Sequence, residues 1–368
     1  MAKVFLVGVR GIPNRYGGFE RLVEVLAPHL AARGHDVTVF CEGAAEQGWH
    51  SDTWEGVHRR FVPVSASGAR GTLQYDWRSF GEIPRGSVAL IFGYGTALFQ
   101  MRLRARGVPH AVNMDGIEWQ RQKWSGNARR WLRFNEWIAV RLSDLLIADH
   151  PEIQRYLRES LGATSEMIAY GVDRSSTAGA TLPAHPLLAQ LAGRPYFLVI
   201  ARPEPENQVH LLLEAYRRAG SGVDMLVVGN FDANDYGRGL QRDYPDARFA
   251  GPVYDLPVLD VLRRDARLYL HGHSVGGTNP SLIEAMAAGA LVAAHDNPFN
   301  RWVLGESGGL FFRSADDLAA LMAAPLEPAQ RAQVIQAAER TCEERYLWPQ
   351  ILGAYESVVD QLVARTRA

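Results

Sequence analysis

The sequence predicts an α/β protein made of two Rossmann-like, doubly wound domains that face each other across a cleft. The first observation is that short apolar runs alternate with segments of helical periodicity through residues 1–178, and again through 190–345. The second is that residues 174–191 begin with a run rich in Ser, Thr, Gly, Ala and Pro, which is typical of a linker. Residues 346–368 predict a C-terminal helix, and its packing back on the first domain is an arrangement that the pattern allows.

The composition is that of a soluble globular protein. The chain has 368 residues, enough for two domains, with 47% hydrophobic and 21% charged residues. Its formal net charge of −1 argues against a protein that binds nucleic acid over its whole surface. No signal peptide is evident, and the longest apolar run, near residues 88–99, is too short to span a bilayer. We therefore expect a cytoplasmic protein.

Neither a metal site nor a cofactor is expected. Cys41 and Cys342 fit neither a disulfide framework nor a zinc spacing, and no pair of acids has the spacing of metal ligands. The G-x-G-x-x-G dinucleotide fingerprint is absent, which disfavours a nicotinamide dehydrogenase.

The first strand and helix enclose a pair of glycines. An apolar run at 4–9 predicts a buried strand, and helical periodicity starts at Phe19. Gly17 and Gly18 lie between them, where the amide groups of a helix N-terminus attract anions. The alternative is that the pair only forms a tight turn.

Two carboxylates follow the strand predicted at 111–114. Asp115 and Glu118 lie at its carboxyl end, where doubly wound sheets bind their ligands, and they are candidates for contacts with substrate hydroxyls. The alternative is that they are helix-start carboxylates stabilised by the helix dipole.

A second candidate anion site lies late in the chain. Asn279 predicts the N-cap and Pro280 the first residue of a helix that is apolar nearly all round. The preceding loop contains Gly276 and Gly277, so a ligand can approach its backbone closely. Glu284 is the sole charge on this helix, and we interpret it as an acceptor for sugar hydroxyls while the loop amides face a diphosphate. The alternative is a capped core helix whose Glu is satisfied by backbone donors.

The segment 101–141 is basic and rich in aromatic residues. Such a pattern suits an anionic membrane surface or a phosphorylated acceptor; no recognised nucleic-acid motif accompanies it. The alternative is a solvated helix face with core tryptophans. The basic residues are Arg102, Arg104, Arg106, Arg121, Lys123, Arg129, Arg130, Arg133 and Arg141, interleaved with Trp119, Trp124, Trp131, Phe134 and Trp137.

These segments carry a resemblance to a known family. The chain resembles the retaining glycosyltransferases of family four, whose GT-B fold has two Rossmann-like domains, and the likeness spans almost the whole length. Four ordered motifs resemble more narrowly the bacterial rhamnosyltransferase branch, which builds capsule or exopolysaccharide repeat units from dTDP-rhamnose. The motifs are GIPNRYGGFE, VNMDGIEWQRQKW, ARPEPENQ and GGTNPSLIEAMAAGALVAAHDNPFNR.

The resemblance implies roles for individual residues. It makes Asp115, Arg202 and Glu284 the catalytic group, with Arg202 on the diphosphate and Glu284 on the nucleotide ribose. The residues implied to bind the donor are Gly17, Gly18, Arg202, Gly276, Gly277, Thr278, Asn279, Glu284 and, at the base, Tyr254. The residues implied to bind the acceptor, in the N-terminal domain, are Arg15, Tyr16, Asp115 and Glu118.

Three positions depart from the broad family. Gly276 stands where a Glu usually contacts the donor sugar, and Asn207 stands where a Lys usually follows the diphosphate Arg. Arg10, Arg15 or Arg301 could supply the missing positive charge. Asp115 stands where many relatives have a His, and its carboxylate could orient the acceptor hydroxyl or take its proton.

The predicted function is a retaining sugar transfer that needs no divalent metal. The donor is a nucleotide diphosphate sugar, dTDP- or UDP-linked, with rhamnose as the preferred sugar. The acceptor is a lipid-linked saccharide at the inner face of the cell membrane, which the protein would touch peripherally. Two alternatives are a nucleotide-sugar 2-epimerase on the same architecture and a non-catalytic nucleotide-sugar binding protein.

Overall fold

A computed structural model describes residues 1–15, 17–121, 124–174, 184–191, 193–324 and 326–367, without the side chain of the last. Tyr16, the predicted domain end at 178 and most of the predicted linker lie outside these residues. The chain divides into two compact units. The first consists of residues 1–120, 124–170 and 349–368, and the second of residues 121–123 and 171–348.

Strands and helices alternate along both units, as the periodicity predicts. The strands are β1 (Lys3–Val7), β2 (Asp36–Ala44), β3 (His50–Trp54), β4 (Val57–Val64), β5 (Ser87–Phe92), β6 (His110–Asn113), β7 (Leu145–Ala148), β8 (Glu166–Met167), β9 (Tyr196–Ile200), β10 (Asp224–Val228), β11 (Arg248–Phe249), β12 (Leu268–His271), β13 (Val292–His295) and β14 (Leu310–Phe312).

The helices fill the intervals between the strands. They are α1 (Gly18–Ala32), α2 (Gly68–Glu82), α3 (Met101–Arg106), α4 (Gly126–Leu142), α5 (Pro151–Leu161), α6 (Pro186–Leu191), α7 (Val209–Ala219), α8 (Asp235–Asp243), α9 (Leu256–Asp265), α10 (Pro280–Ala287), α11 (Pro298–Leu304), α12 (Ala315–Ala323), α13 (Pro328–Arg345) and α14 (Trp348–Arg367). Short 3-10 helices cover Ala45–Gln47, Ala97–Gln100, Glu118–Gln120 and Pro205–Asn207.

Each unit holds one largely parallel sheet. Within the described residues the first sheet has the order β3-β4-β2-β1-β5-β6-β7-β8, and the second the order β11-β10-β9-β12-β13-β14. The β3–β4 pair is antiparallel and the other pairs are parallel. In both sheets the strand order reverses beside the first strand, at β1–β5 and at β9–β12, and doubly wound sheets bind ligands at such switch points.

Apolar strands form the centre of each unit. Every residue of β5 is buried, which a central parallel strand covered on both faces requires. In the second unit Phe197, Val199, Leu213 and Leu270 belong to one buried cluster between β9, β12 and α7. β3, by contrast, is a polar edge strand, HSDTW, that apolar periodicity does not predict.

The C-terminal helix α14 packs on the first unit. Tyr355 is buried, and its hydroxyl accepts a hydrogen bond of 2.7 Å from the Nδ2 of Asn113 at the end of β6. The Oε2 of Glu356 lies 3.2 Å from the Nε2 of His29 on α1, within hydrogen-bond distance. The predicted packing of the C-terminus on the N-terminal domain is confirmed, and it braces the strand that precedes Asp115.

Candidate functional site

The switch point of the second sheet brings two predicted donor elements together. Arg202 comes two residues after β9, and the 272–279 loop follows β12, the neighbouring strand. Ser281 ties them: its hydroxyl donates to the Ile200 carbonyl at 3.4 Å and shares a hydrogen bond of 2.5 Å with Tyr269 on β12. The Arg202 side chain is 72% exposed and forms a loose 3.9 Å ion pair with Glu204, so its guanidinium can turn towards an anion.

The start of α10 has the predicted cap. The Oδ1 of Asn279 accepts a hydrogen bond of 3.0 Å from the Ser281 amide, and Pro280 is the first helical residue. The cap uses that amide, so the predicted anion contact would depend on the backbone of the preceding 276–279 loop. Gly276 has φ +143°, a conformation that side chains rarely adopt, and a Cβ built on it has no neighbour within 4 Å. Glycine is therefore required by the backbone, not by lack of space.

Glu284 is not an isolated charge. It pairs with Arg263 of α9, a fully buried guanidinium that also contacts Asp260 at 3.5 Å. The donor in this pair is a side chain 21 residues earlier in the chain, where the alternative expected backbone donors. The pair orients Glu284, which remains partly exposed at the surface of α10.

Asn207, which stands at the usual Lys position, turns inward. Its side chain is buried, and its Nδ2 donates a hydrogen bond of 2.9 Å to the Arg202 carbonyl. This amide therefore braces the turn that carries Arg202. Of the proposed substitutes for the missing positive charge, Arg301 is held by Asp296 and stacks 4.4 Å from the ring centre of Phe311.

A stacked histidine pair lies beside this turn, and sequence reasoning missed it. The rings of His271 and His273 stack at 4.3 Å between centroids. Burial and the nearby Arg202 guanidinium lower the pKa of His273 to about 3, so the ring is neutral at physiological pH. Asn297 and Asn300 donate to the His273 carbonyl at 2.9 and 3.0 Å, which holds the loop after β12 in place. The signal in the sequence is the HGH triplet at the strand end.

Tyr254, the predicted border of the base site, is 77% exposed. It belongs to the loop after β11, two strands away from β9 in the sheet. The loop is anchored where the Gly229 amide donates to the Gly251 carbonyl at 3.0 Å.

At the switch point of the first sheet, Gly17 caps α1 and closes a turn. Its amide donates to Asn14 Oδ1 at 3.3 Å, and Glu20 accepts from the Arg10 amide at 3.1 Å. A Cβ on Gly17 would lie 3.4 Å from a Glu20 carboxylate oxygen. This geometry is that of the tight-turn alternative. The Glu20 carboxylate places negative charge beside the diphosphate contact predicted at Gly17 and Gly18. Arg15 is exposed on the same loop.

Asp115 adopts a strained backbone conformation. Its φ is +45°, followed by +77° at Gly116, and its amide donates a hydrogen bond of 3.2 Å to Asn113 Oδ1. A non-glycine residue in the left-handed region is uncommon, and such residues cluster at functional sites. Asp115 precedes the nearby 3-10 helix, so it is not a helix-start carboxylate.

Glu118 is the first residue of that 3-10 helix, which agrees with the helix-start alternative. Its amide donates to the Tyr94 hydroxyl at 2.8 Å, and its Oε1 accepts from Trp124 Nε1 at 3.0 Å. Behind it, Trp119 and Tyr156 donate to Glu136 at 3.1 and 2.8 Å. Burial raises the pKa of Glu136, and these two donors act in the opposite direction.

The basic segment forms an exposed aromatic face on α4. Leu132, Ile138 and Ala139 face inward, whereas Trp131, Phe134 and Trp137 are 38%, 45% and 46% exposed. Core packing therefore does not explain these three rings. Neighbouring elements extend the face with the exposed Trp77 and Met101 and the half-buried Arg102. The aromatic-basic surface comprises Trp77, Met101, Arg102, Arg129, Arg130, Trp131, Arg133, Phe134, Trp137 and Arg141.

Contacts join α4 to the elements beside it. Trp131 Nε1 donates to the Gly95 carbonyl at 2.9 Å, and the ring of Trp77 packs edge-on 5.3 Å from that of Phe99. Arg102 stacks on Trp77 at 4.2 Å. Across the part of the chain that the structure describes, no helix is long and apolar enough to cross a bilayer, and no group of three or more His, Cys, Asp or Glu side chains could hold a metal ion.

Two protein families match the chain. Residues 1–79 and 88–173 match a domain of unknown function (DUF1972), and residues 202–357 match the family described as glycosyl transferase-like. The phosphatidyl-myo-inositol mannosyltransferase of Mycolicibacterium smegmatis is 32% identical over 220 residues. The alignment covers 56% of this chain and 55% of the relative, so the chain spans about half the length of the curated relative that it matches.

Solved structures are similar over the whole chain. Sucrose-phosphate synthase from Thermosynechococcus elongatus has a TM-score of 0.81 at 19% identity, covering 99% of this chain and 100% of that one. HepE from Anabaena, in complex with UDP and glucose, has a TM-score of 0.75 at 18% identity, covering 98% and 100%. The predicted GT-B fold with two Rossmann-like domains is confirmed.

Proposed function

We propose that this chain, whose residues 202–357 match the glycosyl transferase-like family, moves a sugar with retention from a nucleotide diphosphate donor to a lipid-linked saccharide. The sequence resemblance favours rhamnose from dTDP-rhamnose, with a UDP-linked sugar as the next candidate, and a bacterial surface polysaccharide as the product. The observation that carries the proposal is that Arg202 and the 276–279 loop follow the carboxyl ends of two neighbouring strands, β9 and β12, at the switch point of the second sheet.

The donor side depends on charge and on backbone amides. The exposed Arg202 fork matches two diphosphate oxygens, and the loop amides add partial positive charge without a metal. The ion pair with Arg263 engages one oxygen of Glu284, and the other would accept a hydrogen bond from the nucleotide ribose. Tyr254 would border the base.

The reaction exchanges one C–O bond for another on the same face of the sugar. The bond between the anomeric carbon and the donor phosphate oxygen breaks, and a bond to the acceptor hydroxyl oxygen forms. The acceptor proton passes to the departing phosphate oxygen, while Arg202 and the loop amides stabilise its negative charge. Asp115 would orient the acceptor hydroxyl, and its strained backbone supports that role.

A lipid-linked acceptor fits two observations. The mycobacterial relative is named a phosphatidyl-myo-inositol mannosyltransferase, and that name includes a phospholipid. The aromatic-basic surface combines half-exposed tryptophans with arginines, a combination typical of protein surfaces that bind anionic lipid. The protein would then be cytoplasmic and peripheral on the inner face of the membrane.

The test is a binding panel followed by turnover. Purified protein is melted with dTDP, UDP and GDP and with dTDP-rhamnose, UDP-glucose and GDP-mannose, because a ligand of the native state raises the melting temperature. The stabilising donor is then incubated with and without a polyprenyl diphosphate-linked saccharide. We expect nucleotide release that requires the acceptor. An epimerised sugar from donor alone would indicate the epimerase, and binding without turnover would indicate a non-catalytic protein.

A further inference from the structure

The 3-10 turn after Arg202 buries a carboxylate that the donor scheme leaves out. Glu206 is 5% exposed, and among the residues that the structure describes neither of its carboxylate oxygens has a hydrogen-bond partner. A buried carboxylate without donors is strongly disfavoured, so native structures supply donors from protein, water or ligand.

The backbone of Glu206 is pinned to the loop of the candidate donor site. Its carbonyl accepts hydrogen bonds from both the amide and the hydroxyl of Ser274, at 3.0 and 2.9 Å. Two residues earlier, a Cβ on Gly272 would lie 2.5 Å from the Asn207 carbonyl, so the two segments touch backbone to backbone. Glu206 is thus coupled to the segment that leads to Gly276.

Two other buried side-chain atoms, one two residues after Glu206 and one in the residue before Ser274, are also without partners among the described residues. They are the side-chain oxygen of Gln208 and the Nδ1 of His273. Acceptors predominate in this group, because a carboxylate and an amide oxygen both accept. Hydroxyl groups are the ligands that such a set takes, since each hydroxyl can donate to an oxygen and a carboxylate can receive two of them.

We infer that Glu206 is the residue that recognises the donor sugar's hydroxyls, in place of the carboxylate absent at Gly276. This inference rests on the proposed function. A Cβ built on Gly276, whose φ is +143°, would have no neighbour within 4 Å, so the space beside this loop is where the sugar would lie. Arg202, four residues earlier on the same turn, places this carboxylate next to the diphosphate contact.

The experiment separates recognition of the sugar from recognition of the nucleotide. Dissociation constants are measured by titration calorimetry for dTDP and dTDP-rhamnose, and for UDP and UDP-glucose, with wild type and Glu206→Gln. We expect the ratio of the dissociation constant for the nucleotide sugar to that for the nucleotide to rise about tenfold in the variant, because hydrogen bonds to a charged group are lost. The dissociation constant for the nucleotide should change less than about twofold. The ratio for Glu206→Asp should lie between those of wild type and Glu206→Gln.

Glu214→Gln is the matched control, because Glu214 lies on the helix that follows and pairs with Arg218 at 2.9 Å; its ratio should equal that of wild type. If the Glu206→Gln ratio is unchanged while wild type binds a nucleotide sugar, Glu206 is structural and only this inference fails. If Glu206→Gln changes the dissociation constants for nucleotide and nucleotide sugar by the same factor and lowers the melting temperature, Glu206 is likewise structural and only this inference fails. If wild type binds neither nucleotides nor nucleotide sugars, the proposed function fails and this inference with it.

Discussion

The buried guanidinium of Arg263 on α9 pairs with the carboxylate of Glu284 on α10. Arg263 is 1% exposed, whereas Glu284 is partly accessible, so the pair presents a fixed carboxylate at the surface of an otherwise apolar helix. A buried cation of this kind stabilises the fold only while its partner remains in place.

Arg263→Met should destabilise the protein. Removing one member of the pair leaves the other charge partly buried, and because Glu284 retains some solvent contact we expect a loss of about 2 kcal/mol in the free energy of unfolding. Urea unfolding measures it. The double variant Arg263→Met with Glu284→Gln should recover part of the loss. Additive effects in that double-mutant cycle would show that the two side chains are not coupled.

Arg202→Ala should impair catalysis without harming the fold. The side chain is largely exposed, so the melting temperature should stay within about 1 °C of wild type, since exposed substitutions change stability little. If Arg202 stabilises the leaving diphosphate, kcat/KM should fall roughly 100-fold or more. Arg194→Ala is the control: that residue is 69% exposed in the same unit and pairs loosely with Asp224 at 3.8 Å. Equal kinetics for the two variants would remove Arg202 from the site.

Binding to anionic vesicles should require the aromatic-basic surface. Replacing Arg129, Arg130 and Arg133 by Ala removes three charges from it, each contributing about 1 kcal/mol near an anionic surface, so sedimentation with vesicles containing anionic lipid should drop more than tenfold. Trp131→Ala with Trp137→Ala should weaken binding to neutral vesicles as well.

The control for charge is a triple variant elsewhere on the same unit. Arg33, Arg155 and Arg158 are exposed and lie outside the surface defined above. Their replacement by Ala should leave vesicle binding unchanged; parallel losses in both triple variants would mean that the membrane contact is a non-specific effect of net charge.

Asp76 should make stability depend on pH. Burial raises the pKa of this carboxyl from 3.8 to about 7, opposed by a hydrogen bond of 2.7 Å from Thr96. The pKa of Asp76 is higher in the folded than in the unfolded chain, so its contribution to the free energy of unfolding is fully present below pH 3.8. That contribution is lost as the pH rises towards 7, which lowers the free energy of unfolding by up to about 4 kcal/mol.

Asp76→Asn removes that titration. The difference in the free energy of unfolding between wild type and variant should move in favour of the variant between pH 4.5 and 8. A difference that is constant over this range, measured by urea unfolding, would show that Asp76 titrates normally.

Sugar transfer should survive chelation. The proposed donor site uses Arg202 and backbone amides for charge, so initial rates after dialysis against EDTA should match those with added Mg²⁺ or Mn²⁺ to within about twofold. Loss of activity that returns with one of these ions would contradict the metal-independent mechanism.

Much of the fold was predictable because its signals are local. Apolar runs set the strands, and the Asn279–Pro280 pair marks the start of α10, since a cap and its helix are adjacent in sequence. Once parallel sheets are assumed, the carboxyl ends of the second sheet's strands collect Arg202 and the 276–279 loop, and a strand end of the first sheet carries Asp115, because the parallel strands of a sheet end at one edge.

The tertiary structure alone decided the partners of the buried polar groups. Arg263 and Glu284 are 21 residues apart in the sequence, and the Glu206 carbonyl accepts a hydrogen bond from Ser274, 68 residues later. No local pattern announces such pairs, because which side chains meet depends on how helices pack over the sheet and on which charges that packing deprives of water. For the same reason the sequence by itself identified a capped helix with one acidic residue, and only the packing of α9 against it determined that this acid is held by a buried arginine. Likewise only the tertiary structure buries Glu206 where no donor from the described residues reaches its carboxylate.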